Sequence, residues 1–434
     1  AADPFRDLFS SGGIVNMESG LGLIAAYFGL RTLTPLAERP SDPLDALRLM
    51  VEHGLAGIPF ELQTGLDALL HQGRVYDSAY WQERAPVNVL QKVVDNGVPA
   101  YLVGGQWDVF QRGEPLLYSG LQNAYAGRPV TSPMLAGQEA TGRYQLLTGP
   151  WDHGNQGAGI DLLALELQWF DHWLKGVDTG ITDTRTPFHV IEPGGAAYDV
   201  ASYPSERATT QRLYLQPGKG LAPTKPTAAT GADPMLFTGL SLACQRSVAQ
   251  WSAGALRDWY EACKQFPSIS LIPGEQAYTT APLGSDLRLA GPIGLTLHTT
   301  STRPETMLVA ELQSVAPDGL VTDLTGGAQL GSLRAIDPER SWPAPDGGWM
   351  LPYHPLTEES ARPVPVGAVT RYDIEIRPAF LTVPAGHRLR IMLRTGDAPH
   401  LLPPPMKLTE LLLGIYGVQR NATHPSWIDL QVGA

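Results

Sequence analysis

The sequence predicts two parts of different character: an α/β part over residues 1–205 and an all-β sandwich over residues 206–434. Three observations carry this. Up to residue 205, short apolar runs ending in polar loop residues alternate with segments of helical periodicity. Beyond it helical periodicity nearly vanishes, and short β-rich runs lie between Gly/Pro turns. The chain also carries 46 Gly and 38 Pro, a content that favours loop-rich α/β and β architecture over a helical bundle.

Taken in order, residues 1–20 read as irregular, with Ser10-Ser11-Gly12-Gly13 as a turn. Leu21 to Leu30 is an apolar, helix-like run. Asp45 to His53 is amphipathic and predicts a helix that stops at Gly54, a residue type suited to the position just past a helix end. Phe60 to Leu70 predicts a further helix ending near Gly73. Three short helices with little strand character suggest an insertion or cap. Tyr80 to Val94 is helical but broken at Pro86, because proline lacks the N–H of the helix ladder.

Pro99 leads into a strand, Ala100–Val103, followed by a loop, Gly104–Phe110, and a helix from Glu114 to Ala124. Arg143–Leu147 is the next strand, and the loop Thr148–Gly159 follows it. Ile160 to Lys175 is the clearest helix: Leu162, Leu163, Leu165, Trp169, Phe170, Trp173 and Leu174 fall at helical spacing. Lys175 suits its carboxyl end and Gly176 can terminate it. Pro187–Ile191 reads as one more strand of the same sheet. In the second part, strands are predicted at Arg212–Leu215, Asp286–Thr300, Thr306–Val315, Thr370–Ile376 and Arg388–Leu393, with Pro217–Pro234 an extended surface loop.

The net charge of −12, with no Lys/Arg cluster, argues against nucleic acid as a partner. No apolar run approaches the ~20 residues that span a bilayer, which argues against a membrane partner. The opening Ala-Ala-Asp-Pro-Phe-Arg-Asp has neither the basic region nor the apolar run of a signal peptide, so a processed, truncated or partial chain is expected. The even cysteine count and the polar, Trp-rich segment between Cys244 and Cys263 predict a disulfide, with two separate buried thiols as the alternative. A disulfide would contribute about 3 kcal/mol by loop closure. It would favour a secreted or extracytoplasmic location, and its absence a cytoplasmic one.

The candidate chemistry lies between Tyr101 and His153. Tyr-Leu-Val-Gly-Gly-Gln-Trp-Asp-Val-Phe ends a strand in Asp108, and Tyr-Gln-Leu-Leu-Thr-Gly-Pro-Trp-Asp-His ends the next in His153. In an open parallel sheet, ligands sit beyond the carboxyl ends of the strands. An Asp and then a His at two such ends match the last two members of an α/β-hydrolase triad, whose chain order is Ser, Asp, His. The carboxylate would fix the imidazole tautomer and stabilise the imidazolium. Surface solvation or helix capping is the bland alternative. Trp107, Phe110 and Trp151 flank the pair and would wall a substrate pocket, or else merely pack the loops.

His172 reads as structural, and His387 as a hydrogen-bonding residue at a turn. His354, His400 and His424 stand next to prolines in loops of the β part. No His-x-x-x-His or Cys-x-x-Cys spacing, phosphate loop or dinucleotide fingerprint occurs, so neither metal nor cofactor is predicted. The nucleophile elbow Gly-x-Ser-x-Gly is also missing from these 434 residues. Ser285 and Ser332 follow a Gly without the second one, and Ser10 and Ser11 have no preceding strand.

These residues resemble the cocaine esterase and X-Pro dipeptidyl-peptidase group of serine hydrolases. Gly105-Gln106-Trp107-Asp108-Val109-Phe110 is similar to its Gly-Trp-x-Asp-x-Phe acid loop, with one residue shifted. Gly149-Pro150-Trp151-Asp152-His153 is similar to its Gly-Pro-Trp-x-His loop, and Phe170–Gly176 to the helix after it. Pro282–Leu287 through Pro384–Arg388 resembles its C-terminal jelly roll.

The resemblance implies a partial α/β-hydrolase domain with a helical cap (about residues 14–80) and a C-terminal jelly-roll sandwich. It implies Asp108 as triad acid, His153 as general base and Phe110 as a pocket residue. Asp3-Pro4-Phe5-Arg6-Asp7 and Gly12-Gly13 resemble the segment shortly after the elbow, which would place the start of this chain about 30 residues too late for the Ser and the oxyanion hole.

The leading expectation is a serine hydrolase of esters or of amides and peptides, whose Ser lies on an N-terminal fragment not in this chain. That fragment and a small-molecule ester or amide substrate are the partners expected. A non-catalytic binding or assembly protein with a degenerate hydrolase remnant is the alternative, and a nucleophile drawn from Ser10 or Ser11 a third. The sequence leaves oligomeric state open, a homo-oligomer included.

Overall fold

A computed structural model describes residues 2–22, 29–30, 32–34, 42–241, 244–264 and 274–433. The expected run Leu21–Leu30 lies largely outside them. The turn at Gly12-Gly13 joins two short paired strands, Ser10–Ser11 and Ile14–Val15. One helix, α1 (Pro43–Leu70), then replaces the two expected around Gly54. Asp42 caps it by accepting from the Leu44 N–H at 2.8 Å, and His71 ends it in the left-handed conformation. Gly54 is no terminator. It sits buried inside the helix, where an added Cβ would lie 3.6 Å from Thr32 Oγ1.

The first sheet is built from β1 (Ala100–Gly105), β2 (Tyr144–Gly149), β3 (Phe188–Ile191) and β4 (Ala197–Val200), in that order. The first three are parallel, and β4 returns antiparallel. Helix α2 (Gly113–Tyr125) connects β1 to β2, and α3 (Leu162–Lys175) follows β2. Asp161 caps α3 by accepting from the Ala164 N–H, and Gly176 ends it. Tyr118, Leu146, Phe188 and Val190 form the core between α2 and the sheet. Only Trp169 of α3 is buried, and Leu163, Leu167, Phe170 and Leu174 are exposed along one stripe.

The β part pairs a large sheet with a smaller one. It opens with β5 (Thr209–Leu215), β6 (Leu221–Ala222) and β7 (Ala232–Leu236). The segment 217–234 is therefore more than a surface loop: alternate burial of Asp233 and Met235 recruits its end into the sheet. Two helices follow that the loss of helical periodicity did not predict, α4 (Arg246–Trp251) and α5 (Arg257–Cys263). Each is under two turns, too short for a periodic pattern to register.

Eight further β-segments complete these two sheets. They are β8 (Gln276–Thr279), β9 (Leu287–Ser301), β10 (Met307–Val315), β11 (Val321–Leu330), β12 (Thr370–Val383), β13 (Arg388–Arg394), β14 (Ile415–Gln419) and β15 (Trp427–Val432). The large sheet runs β6-β5-β15-β9-β14-β7, with β12 also paired to β9, and the smaller runs β8-β13-β10-β11. Leu295, Leu297, Leu312, Ile374, Ile391 and Ile428 belong to the core they share. Cys244 and Cys263 form the expected disulfide, with Cα atoms 5.8 Å apart.

Candidate active site

The carboxyl ends of β1 and β2 are stitched together by backbone. The Gln106 N–H donates to the Gly149 carbonyl at 2.8 Å, and the Trp107 N–H to the Trp151 carbonyl at 3.0 Å. Gly105 permits this approach, since a Cβ there would sit 2.2 Å from the Trp151 oxygen. Asp108 follows on the resulting turn and is wholly buried (0 % exposed). Its carboxylate accepts from the Phe110 N–H at 3.0 Å and from Gln156 Nε2.

His153 opens a short turn, His153–Asn155, held by reciprocal capping. The Asp152 carboxylate accepts from the Gly154 N–H and the Asn155 side chain accepts from the Asp152 N–H, each at 2.9 Å. This presents His153 Nδ1 to Asp108, 3.2 Å from Oδ1 and 3.3 Å from Oδ2. The bond to the carboxylate raises the imidazole pKa above its ordinary value, against the opposing effect of partial burial. Nδ1–H donating to Asp108 leaves the lone pair of the neutral ring on Nε2. The side chain is 46 % exposed, and among the described residues Nε2 has no hydrogen-bond partner.

Among the described residues two other His–Asp pairs occur, and neither has a free nitrogen. His189 Nδ1 is 2.7 Å from Asp199, but its Nε2 meets Gln145 Oε1 at 3.1 Å. His400 Nδ1 is 2.8 Å from Asp397, its Nε2 is 3.1 Å from Asn16 Oδ1, and burial lowers its pKa to about 4. Of the three, His153 alone combines a buried carboxylate on one nitrogen with an open second one, which is the geometry of a general base.

Phe110 places its ring edge-on to His153, with centroids 5.5 Å apart. Trp107 is partly exposed and lies under the Arg246 guanidinium at 3.9 Å. Trp151 is buried, with its indole N–H donated to the Ala158 carbonyl at 3.0 Å, so it packs the loop. His172 rests edge-on to Trp173, His387 bonds Ser314 at 2.9 Å, and His354 is buried between the Ala335 and Asp373 carbonyls. Ser11 Oγ is engaged by Asn16 at 2.9 Å and Arg377 at 2.7 Å; neither it nor Ser10 bonds His153.

Sequence reasoning missed the residues that support the pair. The spacing of Asp152 and Asn155 matches a capping pattern and was available as a signal. Gln156 and Gln250 carry none. Gln250 reaches the Asp108 carbonyl from the β part at 2.8 Å.

A mostly parallel sheet with a His–Asp pair on the loops at its strand ends, joined to a two-sheet β part, is the fold that solved hydrolase structures share. An aminopeptidase from a marine sediment Thaumarchaeota archaeon superimposes with a TM-score of 0.68 at 18% identity, covering 100% of this chain and 71% of that one. A CocE/NonD family hydrolase from Staphylococcus aureus gives 0.64 at 14% identity, covering 100% and 66%.

The family model of the X-Pro dipeptidyl-peptidase C-terminal non-catalytic domain matches residues 183–427, more than half of the chain. The chain belongs to this X-Pro dipeptidyl-peptidase-like family. It is also 28% identical over 297 residues to a Mycobacterium bovis protein named "Putative serine esterase Mb1866c", across 66% of this chain and 45% of that protein. It thus spans about half the length of that relative. Asp108 and His153 lie ahead of the matched non-catalytic stretch.

Proposed function

We propose that this chain supplies the acid and the general base of a serine hydrolase acting on esters or on amides and peptides. The observation that carries the reading is the exposed side chain of His153, whose Nε2 has no hydrogen-bond partner among the described residues, backed on the other nitrogen by the buried Asp108. The nucleophilic Ser and the oxyanion donors come from polypeptide outside these 434 residues, because no Gly-x-Ser-x-Gly elbow lies within them. Residues 1–205 form the later part of an α/β-hydrolase domain with its cap, and residues 206–434 the jelly roll.

Two surface features support a covering polypeptide. Among the described residues β1 pairs with β2 alone, so its other edge offers unpaired backbone groups. The exposed stripe Leu163, Leu167, Phe170 and Leu174 on α3 is an apolar face that none of the described residues covers.

In the reaction, the Ser hydroxyl attacks the acyl carbonyl while Nε2 takes its proton. Asp108 stabilises the resulting imidazolium, which then protonates the leaving alcohol or amine. Water, deprotonated by the same nitrogen, releases the acid. Phe110, in contact with the His153 ring, borders the acyl group, with Trp107 beside it and Trp151 bracing the loop beneath.

Treatment of the purified material with a fluorophosphonate probe, read by intact mass under denaturing conditions, tests this. The label should fall on polypeptide other than residues 1–434. Label on this chain would refute the outside nucleophile. No label on any polypeptide present, with an Asp–His pair intact, would favour a non-catalytic binding role.

A further inference from the structure

The disulfide Cys244–Cys263 closes a helical hairpin, α4 and α5, that reaches out of the β part to both loops of the His–Asp pair. Its base is fixed. The Arg246 N–H and Nε donate to Asp323 at 3.0 and 2.9 Å, and Trp251 stacks on His400 with ring centroids 4.3 Å apart. Val248, Ala249, Trp251 and Tyr260 are buried.

The hairpin also makes two contacts with the site. Gln250 Nε2, buried, donates to the Asp108 carbonyl at 2.8 Å and to Gln111 Oε1 at 2.9 Å. Gln111 in turn donates to the Pro378 carbonyl on β12 at 2.6 Å. The acid loop is therefore held from two directions. On the other side, Arg257 grips both oxygens of Asp152, the carboxylate that caps the His153 turn. Gly254 makes room for that grip: its φ is +89°, and a Cβ would lie 2.4 Å from Asp152 Oδ1.

One compact element thus touches the backbone of the acid and the cap of the base while touching neither ionising group. Asp108 is set by Gln250, and His153 by Arg257 through Asp152. Both are tied to one cross-linked hairpin, which adds a second brace to the backbone bonds that already join the two loops.

We propose that the Cys244–Cys263 hairpin is a positioning clasp for Asp108 and His153, with Gln250 and Arg257 as its positioning residues. The proposal rests on the reading of that pair as acid and base. Without the clasp the Asp108 carbonyl loses its side-chain donor and the His153 turn its outer anchor, so the 3.2 Å contact loosens.

The test is an NMR pH titration of the His153 imidazole in the intact protein, assigned by loss of its signal in His153→Gln. It needs no nucleophile. Wild type is compared with Gln250→Met, which keeps side-chain length without donors, and with the double variant Cys244→Ser/Cys263→Ser, which alters neither loop. Far-UV circular dichroism and the thermal transition report whether each is folded.

In wild type, His153 should titrate above an ordinary histidine, and both variants, folded, should move its midpoint down toward the ordinary value. Arg257→Met should speed amide exchange at Gly154. A raised wild-type midpoint shared by both folded variants would overturn the clasp and leave the His–Asp reading standing. A wild-type midpoint at the ordinary value would overturn the pair, and the clasp with it.

Discussion

Arg112 Nε lies 2.7 Å from the Glu375 carboxylate, joining residues 263 positions apart in sequence. Arg112 directly precedes α2, and its Nη1 is also 3.0 Å from the wholly buried Asp7. One guanidinium thereby ties the N-terminal segment, the end of the acid loop and β12 together. Arg112→Met would leave two carboxylates without their cation, at least one of them fully buried. Breaking a buried pair from one side costs about 3–5 kcal/mol. The urea midpoint should fall accordingly with an unchanged slope, and unchanged stability would refute this tie.

The raised pKa of His153 carries a sign. A group whose pKa is higher folded than unfolded adds stability that is complete below its unfolded value and is lost as pH rises through its folded one. His153→Gln should therefore cost stability near about pH 5 and cost less near about pH 9. The gap is small, because the ring is nearly half exposed and solvent screens it. Urea melts of both proteins across that range check it; a gap that widens with pH would contradict the pairing.

Gly54 separates the two readings of the capping helices. As a residue past a helix end it would resist substitution, whereas inside α1 it costs roughly 0.5–1 kcal/mol relative to alanine. An added Cβ meets only ordinary contact with Thr32. Gly54→Ala should raise the thermal midpoint, and a lowered midpoint would restore the helix break.

What was legible in the sequence followed locality. Asp108 and His153 could be read because each closes a contiguous strand-and-loop motif, and β1 and β2 appear where apolar runs end in polar residues. Helix α3 was legible from its spacing, although its apolar stripe is exposed rather than buried, a matter decided by what packs on it. Gly54 misled because glycine ends many helices but is also tolerated inside one at a modest cost. The support from Gln250 was invisible, since its bond to Asp108 spans 142 positions and a lone glutamine carries no motif. Strand β7 hid in a Gly/Pro-rich stretch because its partner strand β14 lies some way along the chain and the local sequence carries no strand pattern.

The most direct test of the central claim is the pH dependence of fluorophosphonate labelling of the complete hydrolase, wild type against Asp108→Asn. The rate should rise as His153 loses its proton, with a midpoint above that of an ordinary histidine. In Asp108→Asn it should drop by about 10³–10⁴-fold and its midpoint should move to lower pH, since the carboxylate that fixes the tautomer and raises the pKa is gone. A labelling rate that is indifferent to pH and unchanged in Asp108→Asn would contradict the assignment of Asp108 and His153 as acid and base.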